Sequence, residues 1–408
     1  MLISTAQVLA PTYACAEAED NIAVKSKINK KIKKRDYVSA KVCRECHPKI
    51  YTMWNNSMHA HAMDDPIFKA TYALAYTKTW GRAAKVCLRC HAPTTIITGD
   101  FNQELEITRE GVTCDFCHTV TGIDLSNRKN PFVIEQSQMK AVPAGGIDPW
   151  SHGSKQSDIL NSSEFCAGCH DYTNENDVVL MGTFTEWKKG PYPAQGVECQ
   201  DCHMPKQKDD LKDHRMVKFR EDLPSQAEAM QTGSQNSSGF NIIDYDISVK
   251  INKVERNGGH LKVVVQVTNT GYGHMIPTGM PSRGLILVCE VRTPPKGETM
   301  IRRQIYKKRV VYKKNGQELT DDSDLMLKPC RVIDDNRLTP NETRTEEFKF
   351  MVSADQSVIV SASVSYLYNP VLIHKTEMKI HIDRDEKVIQ ANSNSSKKLP
   401  NQGGSPND

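Results

Sequence analysis

Long apolar runs and an excess of charge of one sign are both missing from this chain. No stretch of the 408 residues approaches the roughly 20 consecutive apolar residues of a membrane-spanning helix, so we expect no transmembrane span. The 53 Lys and Arg residues nearly balance the 49 Asp and Glu residues, which leaves a formal net charge of +4. This even balance indicates neither nucleic acid nor a membrane surface as a partner.

Cysteine is present in an ordered pattern. Ten of the 13 cysteines lie in five copies of the pentapeptide C-x-x-C-H. The copies are Cys43-x-x-Cys46-His47, Cys87-x-x-Cys90-His91, Cys114-x-x-Cys117-His118, Cys166-x-x-Cys169-His170 and Cys199-x-x-Cys202-His203. In this spacing the two thiols form thioether links to a haem, and the adjacent imidazole is the proximal ligand of the iron. The sequence therefore predicts five haem c groups.

Structural zinc and redox disulfides are the alternatives to haem. Two C-x-x-C pairs can supply the four thiolates of a tetrahedral zinc site. Zinc, however, does not require a histidine directly after the second cysteine, and five such repeats would hardly arise by chance. The haem interpretation is therefore favoured.

Three cysteines lie outside the motifs: Cys15, Cys289 and Cys330. Covalent haem attachment takes place outside the cytoplasm, so we expect an exported protein that is periplasmic, extracellular or at the cell surface. In that environment Cys289 and Cys330 could form a disulfide or remain two buried free thiols. The sequence leaves both alternatives open, since it does not give the distance between them.

The N-terminal residues carry traces of export. Residues 1–16 are a candidate signal segment, because Met1 to Pro11 is apolar and Ala14-Cys15-Ala16 resembles a signal-peptidase site. The segment is short and has no basic n-region, which indicates a start codon assigned too late or a degenerate signal. Residues 17–36 form a lysine-rich basic arm, either a solvated tether or a docking patch for an acidic partner.

The remaining chain divides by composition into two domains of different class, so the predicted fold is α+β and multidomain. Residues 37–215 contain the five motifs among short helical patterns and loops, and we expect a mainly α or irregular pentahaem cytochrome c domain. Residues 216–240 are polar and predict a linker. Residues 241–384 form the second domain, and the polar tail at 385–408 should be disordered.

Apolar and polar residues alternate along the second domain, as they do in β-strands. Apolar residues Ile247, Val249 and Ile251 alternate with polar ones, Asn257-Gly258-Gly259 makes a turn, and residues 261–268 form the next strand. Further strands are expected at 285–291, 309–312, 347–352, 358–368 and 377–382, with a turn at Asn315-Gly316. Short strands at this spacing predict an antiparallel immunoglobulin-like β-sandwich.

A count of histidines distinguishes an electron carrier from an enzyme, because a haem with two protein ligands has no open face for substrate. Eight histidines lie outside the motifs, and five distal ligands are needed. The candidates are His59, His61, His152, His214 and His274. His59 and His61, two apart on a predicted helix, would point to different haems. We expect His260, His374 and His381 to be surface or core residues, and five bis-His haems; a methionine ligand is the less favoured alternative.

Sequence pieces around these residues resemble the multihaem c-type cytochrome superfamily that includes tetrahaem cytochromes of nitrifiers, pentahaem nitrite reductase and hydroxylamine oxidoreductase. The pieces are Tyr51-x-x-Trp54-x-x-Ser57-x-His59, Glu110-Gly111-Val112-x-Cys114, Ser151-His152-Gly153, Glu198-Cys199-Gln200 with Cys202-His203-Met204-Pro205, and Gly273-His274-x-x-Pro277-Thr278-Gly279. The resemblance implies that His59, His152, His214 and His274 are distal ligands. It also implies closely stacked haem pairs, and a β-sandwich that packs against the haem domain and contributes one of the distal ligands.

Departures from these relatives bear on function. The resembled nitrite reductase carries a C-x-x-C-K haem, which this sequence lacks. We therefore expect a non-enzymatic carrier that passes electrons along five bis-His haems to redox partner proteins or an extracellular acceptor. The alternatives are a multihaem oxidoreductase acting on a small nitrogen or sulfur compound, and a cytochrome anchored by an adhesive sandwich. Some extracellular cytochromes of this kind form filaments, which predicts a homo-oligomer with His59 or His61 donated to a neighbouring subunit.

Overall fold

A computed structural model describes residues 37–137, 139–143, 152–174, 176–216, 246–295, 297–368 and 378–391. The predicted signal segment, the basic arm, the linker from residue 217 and His374 lie outside these ranges. Within the described residues, no helix combines the length and apolar character needed to cross a membrane. The chain divides into two compact units. We call residues 1–72, 79–168 and 198–217 the motif unit, and residues 73–78, 169–197 and 218–408 the sheet unit.

The helices are short, and most lie in the first half of the chain. They are α1 Ala40–Cys43, α2 Pro48–Asn55, α3 Pro66–Thr79, α4 Ala84–His91, α5 Thr95–Thr98, α6 Glu106–Arg109, α7 Cys114–Cys117, α8 Ser163–His170, α9 Thr183–Lys189, α10 Cys199–His203 and α11 Asp322–Leu327. Single turns of 3-10 helix occupy Asp158–Asn161 and Pro193–Gln195. Helices of one or two turns are not stable alone, so packing must hold them.

Short strands accompany these helices, and long strands fill the second half of the chain. They are β1 Val120–Ile123, β2 Phe132–Ile134, β3 Lys140–Val142, β4 Ser154–Gln156, β5 Asp171–Thr173, β6 Val179–Gly182, β7 Ile247–Asn257, β8 His260–Asn269, β9 Arg283–Arg292, β10 Thr299–Tyr306, β11 Lys308–Tyr312, β12 Cys330–Asp335, β13 Thr343–Met351, β14 Val358–Tyr368 and β15 Met378–Ile389. The fold is thus mixed helix and sheet, with its large antiparallel sheets in the C-terminal part.

In the described part of the motif unit, the apolar clusters are small. One cluster of buried side chains holds Met63, Ala84, Leu88 and Ala92, and another holds Ala40, Trp54 and Ala60. Clusters of three or four residues bury too little apolar surface to hold many short helices.

The sheet unit has a large core between two antiparallel sheets. One sheet has the order β10-β9-β14-β15 and the other the order β13-β8-β7. The alternation of residues along each strand produces this core. In β8 the fully buried residues alternate with more exposed ones, and they are Leu261, Val263, Val265 and Val267. Inward-facing residues of both sheets belong to one cluster of 21 buried residues. This contact along two apolar faces stabilises the unit.

The strand predictions differ from the structure at several points. The turns at Gly258-Gly259 and Asn315-Gly316 are confirmed, with positive φ at Gly258 and Gly316. Strands β10 and β12 and helix α11 were not predicted. In β10 the consecutive polar residues Arg302, Arg303 and Gln304 interrupt the alternation that indicates a strand. Strand β15 extends to Ile389 and pairs with Val358, so the boundary expected at residue 384 is five residues too early. The backbone pairing with β14 overrides the polar composition there.

Residues 169–197 belong to the sheet unit, although the sequence places them inside one continuous domain at 37–215. Asn174 donates from Nδ2 to the Cys330 sulfur at 3.2 Å, and Lys308 donates to the Val179 carbonyl. Cys289 and Cys330 are both buried free thiols rather than a disulfide. Buried polar contacts of this kind tie the segment to the sheets.

Candidate functional site

Helical geometry places the reactive groups of each motif on one side. Residues three and four apart share a helix face, so a cysteine at i, a cysteine at i+3 and a histidine at i+4 point the same way. Helices α4, α8 and α10 end at the motif histidines His91, His170 and His203. In the first and third motifs, His47 and His118 donate their backbone N–H to the carbonyl of the first cysteine, which continues the helical turn.

The motif thiols meet in pairs across the sequence. The thiols of Cys43, in the first motif, and Cys114, in the third, lie close enough for each to shift the pKa of the other. The same holds for Cys166 and Cys199, from the fourth and fifth motifs. All twelve described cysteines are free thiols. The thiols are thus available to form thioethers, and two pairs of motifs lie side by side.

The zinc alternative requires a cluster of ligands. Within the described ranges, no group of three or more His, Cys, Asp or Glu side chains is arranged to hold a metal ion.

Two motif histidines are oriented by backbone carbonyls. His91 Nδ1 lies 3.0 Å from the Ala62 oxygen, and His118 Nδ1 lies 2.6 Å from the Ala141 oxygen. Because a carbonyl only accepts, Nδ1 must carry the proton and Nε2 keeps its lone pair. An imidazole in this tautomer, with its second nitrogen anchored, is what a haem iron binds. The residues therefore fit covalently bound haem c.

Three of the candidate distal histidines have the same arrangement. The Nδ1 atoms of His214, His152 and His274 lie 2.8 Å, 3.1 Å and 3.0 Å from backbone carbonyl oxygens of residues one or two positions away. In this tautomer Nε2, rather than Nδ1, carries the lone pair that can bind a metal ion.

Burial favours the neutral form of these imidazoles. Desolvation lowers the pKa of His47, His91, His118 and His214 below the ordinary value for histidine. A second imidazole contributes in two cases: His152 lowers the pKa of His47, and His214 lowers that of His118. The neutral form is the one that binds metal.

Two histidine pairs thus come together in the motif unit. The ring centroids of His47 and His152 are 6.3 Å apart. Two imidazoles on opposite sides of one metal ion, each bonded at about 2.0–2.1 Å, have centroids roughly 6–6.5 Å apart. The separation of His47 and His152 matches this value. The electrostatic effect of His214 on His118 indicates a second close pair.

His59 and His61 lie in successive turns after α2, not on a helix as expected. Asn56 ends α2, and Asn and Ser favour turns because their side chains compete for backbone hydrogen bonds. The His59 ring contacts the Met216 sulfur, a neighbour that no local sequence signal indicated. The His59 carbonyl accepts the Val112 N–H at 3.0 Å.

Several residues of the resemblance pieces hold these histidines. Trp54 donates its indole N–H to the Val112 carbonyl at 2.8 Å. Gly111 has a φ of +71°, and a Cβ there would lie 2.6 Å from the His59 carbonyl oxygen. Glu110 accepts from the Ala40 N–H and from the Thr113 hydroxyl, both at 3.0 Å. These contacts join the first motif, the turn of His59 and the third motif.

The fourth and fifth motifs are joined in a similar way. Glu198 accepts the Ser163 N–H at 2.8 Å, and the Ser163 hydroxyl accepts the Cys199 N–H at 2.9 Å. Gln200 donates to the Leu160 and Ser162 carbonyls at 3.0 Å and 2.8 Å. These bonds fix α10 against the start of α8.

His274 lies in a loop of the sheet unit that is held at many points. Asn269, fully buried, donates to the His274 carbonyl at 3.3 Å. Tyr192 donates its hydroxyl to the Gly271 carbonyl at 3.0 Å, and Arg337 donates to the Pro277 carbonyl at 3.1 Å. The loop is therefore fixed by the strands and helices around it.

Comparisons with known proteins agree with the motif chemistry. Residues 42–119 match the family model for cytochrome c554 and c-prime, and residues 136–236 match the N-terminal region of the NapC/NirT cytochrome c family. The crystal structure of a penta-heme cytochrome c552 from Thermochromatium tepidum is similar at 22% identity and a TM-score of 0.63, covering 86% of this chain and 99% of that one. None of the curated proteins compared matches the chain.

A structure of Bacteroides uniformis β-glucuronidase gives 12% identity and a TM-score of 0.17, covering 37% of this chain and 14% of that one. This likeness is too weak to carry an argument about fold or function.

The motif helices, the anchored imidazoles and the two cytochrome family matches define a protein that binds haem covalently. It is a multihaem c-type cytochrome, a class of protein that transfers electrons to and from redox partners.

Proposed function

We propose that the chain binds five haem c groups and carries electrons among them, with no substrate-binding iron. The observation that carries this proposal is the repeated motif geometry, with two thiols and one imidazole on one helix face. When bound, haem c supplies a one-electron couple between Fe(III) and Fe(II). The thiols of all five motifs hold the groups in place, and the motif histidines His47, His91, His118, His170 and His203 are the proximal ligands.

Distal ligation comes from His59, His61, His152, His214 and His274 in this proposal. The 6.3 Å separation of the His47 and His152 rings supports His152 as the partner of the first motif. The proximity of His214 to His118 supports a second pair at the third motif. The backbone carbonyls at Nδ1 keep these rings in the tautomer that binds metal, and they hold the ring planes in fixed orientations.

The haem count is tested by intact mass and by a pyridine haemochrome assay on the mature protein. We expect five haem additions. Replacing both motif cysteines in Cys87→Ser/Cys90→Ser should remove one addition, whereas Cys289→Ser, outside the motifs, should remove none. A mature protein with fewer than five additions would overturn the count, and a high-spin ferric signal that shifts with nitrite or hydroxylamine would favour an enzyme.

The two large sheets form, in our proposal, an immunoglobulin-like sandwich. Their antiparallel strands and their shared apolar core support it. Export follows from the need to attach haem outside the cytoplasm. An extracellular filament, with His59 or His61 donated to a neighbouring subunit, stays a prediction. Electron microscopy of the purified protein tests it, because particles that are all monomeric would contradict assembly.

A further inference from the structure

Two adjacent residues of β3 hydrogen-bond His118 of the third motif and the carbonyl that anchors His152. The Ala141 carbonyl accepts from His118 Nδ1 at 2.6 Å, and the Ala141 N–H donates to the His118 carbonyl at 2.8 Å. The Lys140 N–H donates at 2.8 Å to the Gly153 carbonyl, which also accepts from His152 Nδ1 at 3.1 Å. A carbonyl oxygen has two lone pairs and can accept both bonds. One strand thus anchors both His118 and His152.

The side chain of Lys140 ties this strand to the third motif. Its ammonium group lies 2.5 Å from an oxygen of Asp115, a residue inside that motif. The other Asp115 oxygen accepts the Val38 N–H at 2.7 Å. The side chains of Asp115 and Lys140 are only 4% and 16% exposed, so water screens their attraction weakly. Loss of the ammonium group would leave a buried carboxylate without its counter-charge.

The backbone register extends this link to β4. Lys140, Ala141 and Val142 pair in parallel with residues 154–156, directly after Gly153. A shift of β3 relative to the third motif would therefore move the Ala141 carbonyl and the Gly153 carbonyl together.

We propose that Lys140 is a positioning residue for ligands of two haems at once, orienting His118 and His152 through the strand it belongs to. This inference rests on the proposed function, in which His118 serves the third motif and His152 lies opposite His47. The ion pair with Asp115 sets where β3 lies. The two consecutive residues of β3 then set the planes of the two imidazoles.

The test uses the complete holoprotein with Lys140→Met, Lys140→Arg and Lys155→Met. Lys155 is the matched control, because it lies opposite Ala141 on β4 and forms an exposed ion pair with Glu135 at 2.9 Å. The low-spin resonance signals of the oxidised protein report the orientation of the imidazole planes at each iron. With Lys140→Met we expect the signals of two haems to shift, and with Lys140→Arg and Lys155→Met we expect the wild-type spectrum.

Single variants identify the signals. His152→Ala removes the proposed partner of His47, and His214→Ala removes that of His118. Each should convert one low-spin signal to high spin, and Lys140→Met should shift those same two signals. A second readout concerns the chain itself: amide hydrogen exchange at Ala141 should become at least tenfold faster in Lys140→Met and stay unchanged in Lys155→Met.

Each outcome has one meaning. The positioning role is wrong if Lys140→Met shifts no signal, only one of the two, or all haem signals, since the last result indicates general disruption. It is also wrong if Lys155→Met has the same effect. A different failure concerns the proposed function: if neither His152→Ala nor His214→Ala changes a haem signal, the ligand assignment is wrong, whatever Lys140→Met does.

Discussion

The imidazole ring centroids of His47 and His152 lie 6.3 Å apart, and the two ring planes are inclined by 41°. One follows the second cysteine of the first motif, and the other follows the third motif by more than 30 residues. This separation is the one expected for two imidazoles bonded to opposite sides of one metal ion.

Replacing His152 by alanine should open one haem. The number of covalently bound haems should not change, since the thiols are untouched, while one low-spin signal is lost and one high-spin ferric signal appears. Resonance spectroscopy of the oxidised protein measures this change. His260→Ala is the control, because His260 is an exposed residue at the start of β8. An unchanged spectrum in His152→Ala would exclude this residue as a ligand.

Gly111→Ala should destabilise the turn that carries His59. The backbone at Gly111 has positive φ, and the added Cβ would lie 2.6 Å from a main-chain carbonyl. The strained φ and the steric overlap together should cost about 2–4 kcal/mol of unfolding free energy. Gly99 has nearly the same φ of +70° with nothing within 4 Å, so Gly99→Ala should cost only about 1 kcal/mol. Urea unfolding compares the two, and equal losses would contradict the overlap.

Arg337→Met should weaken the sheet unit. The guanidinium of Arg337 lies 2.8 Å from Glu186 and 2.7 Å from Asp335, and its side chain is 4% exposed. Removing one partner of a buried ion pair leaves an unpaired charge, which costs about 3–5 kcal/mol. The exposed pair of Lys253 and Glu255 provides the control, because Lys253→Met should change stability by less than about 1 kcal/mol. Urea unfolding followed by circular dichroism measures both, and similar losses would show that burial is unimportant here.

Cys289 should resist thiol reagents in the folded protein across the usual pH range. Burial in the core raises the pKa of this thiol to about 12, so the neutral form prevails far above the ordinary value of about 8.5. The raised folded-state pKa contributes stability that is present below pH about 8.5 and is lost as pH rises toward 12. Alkylation with mass detection tests this. Fast labelling of the folded protein at pH 9 would contradict it, and the urea-unfolded chain serves as the positive control.

Sequence reasoning identifies the groups of the site more readily than their positions. The C-x-x-C-H spacing predicts which thiols and imidazoles act together, because all three lie within one helical turn. Strands with strict alternation of apolar and polar residues, such as β8, are confirmed, because this pattern too is local. Contacts between residues far apart in the sequence leave no spacing pattern that could predict them. Lys140 lies 25 residues from Asp115, and no spacing rule connects them.

The resemblance pieces include residues whose roles only the structure explains. The sequence singles out Trp54, Glu110 and Glu198 by likeness alone. The structure shows each of them making hydrogen bonds that join separate motifs. The sequence predicts a helix at His59 and His61, but the structure has turns there. A hydrogen bond from the distant residue Val112 to the His59 carbonyl, rather than local propensity, determines the path of the chain.

Strand β7 forms one outer edge of the three-stranded sheet, and β15 of the other sheet lies against it. Asp383 and Asp385 of β15 accept the N–H groups of Val249 and Ile251 on β7, each at 2.7 Å. These two N–H groups already have acceptors, so they cannot pair with a strand of another molecule. The two carboxylates thus oppose strand addition at this point of the sheet, and replacing both aspartates by alanine would leave these N–H groups open to pairing with another chain.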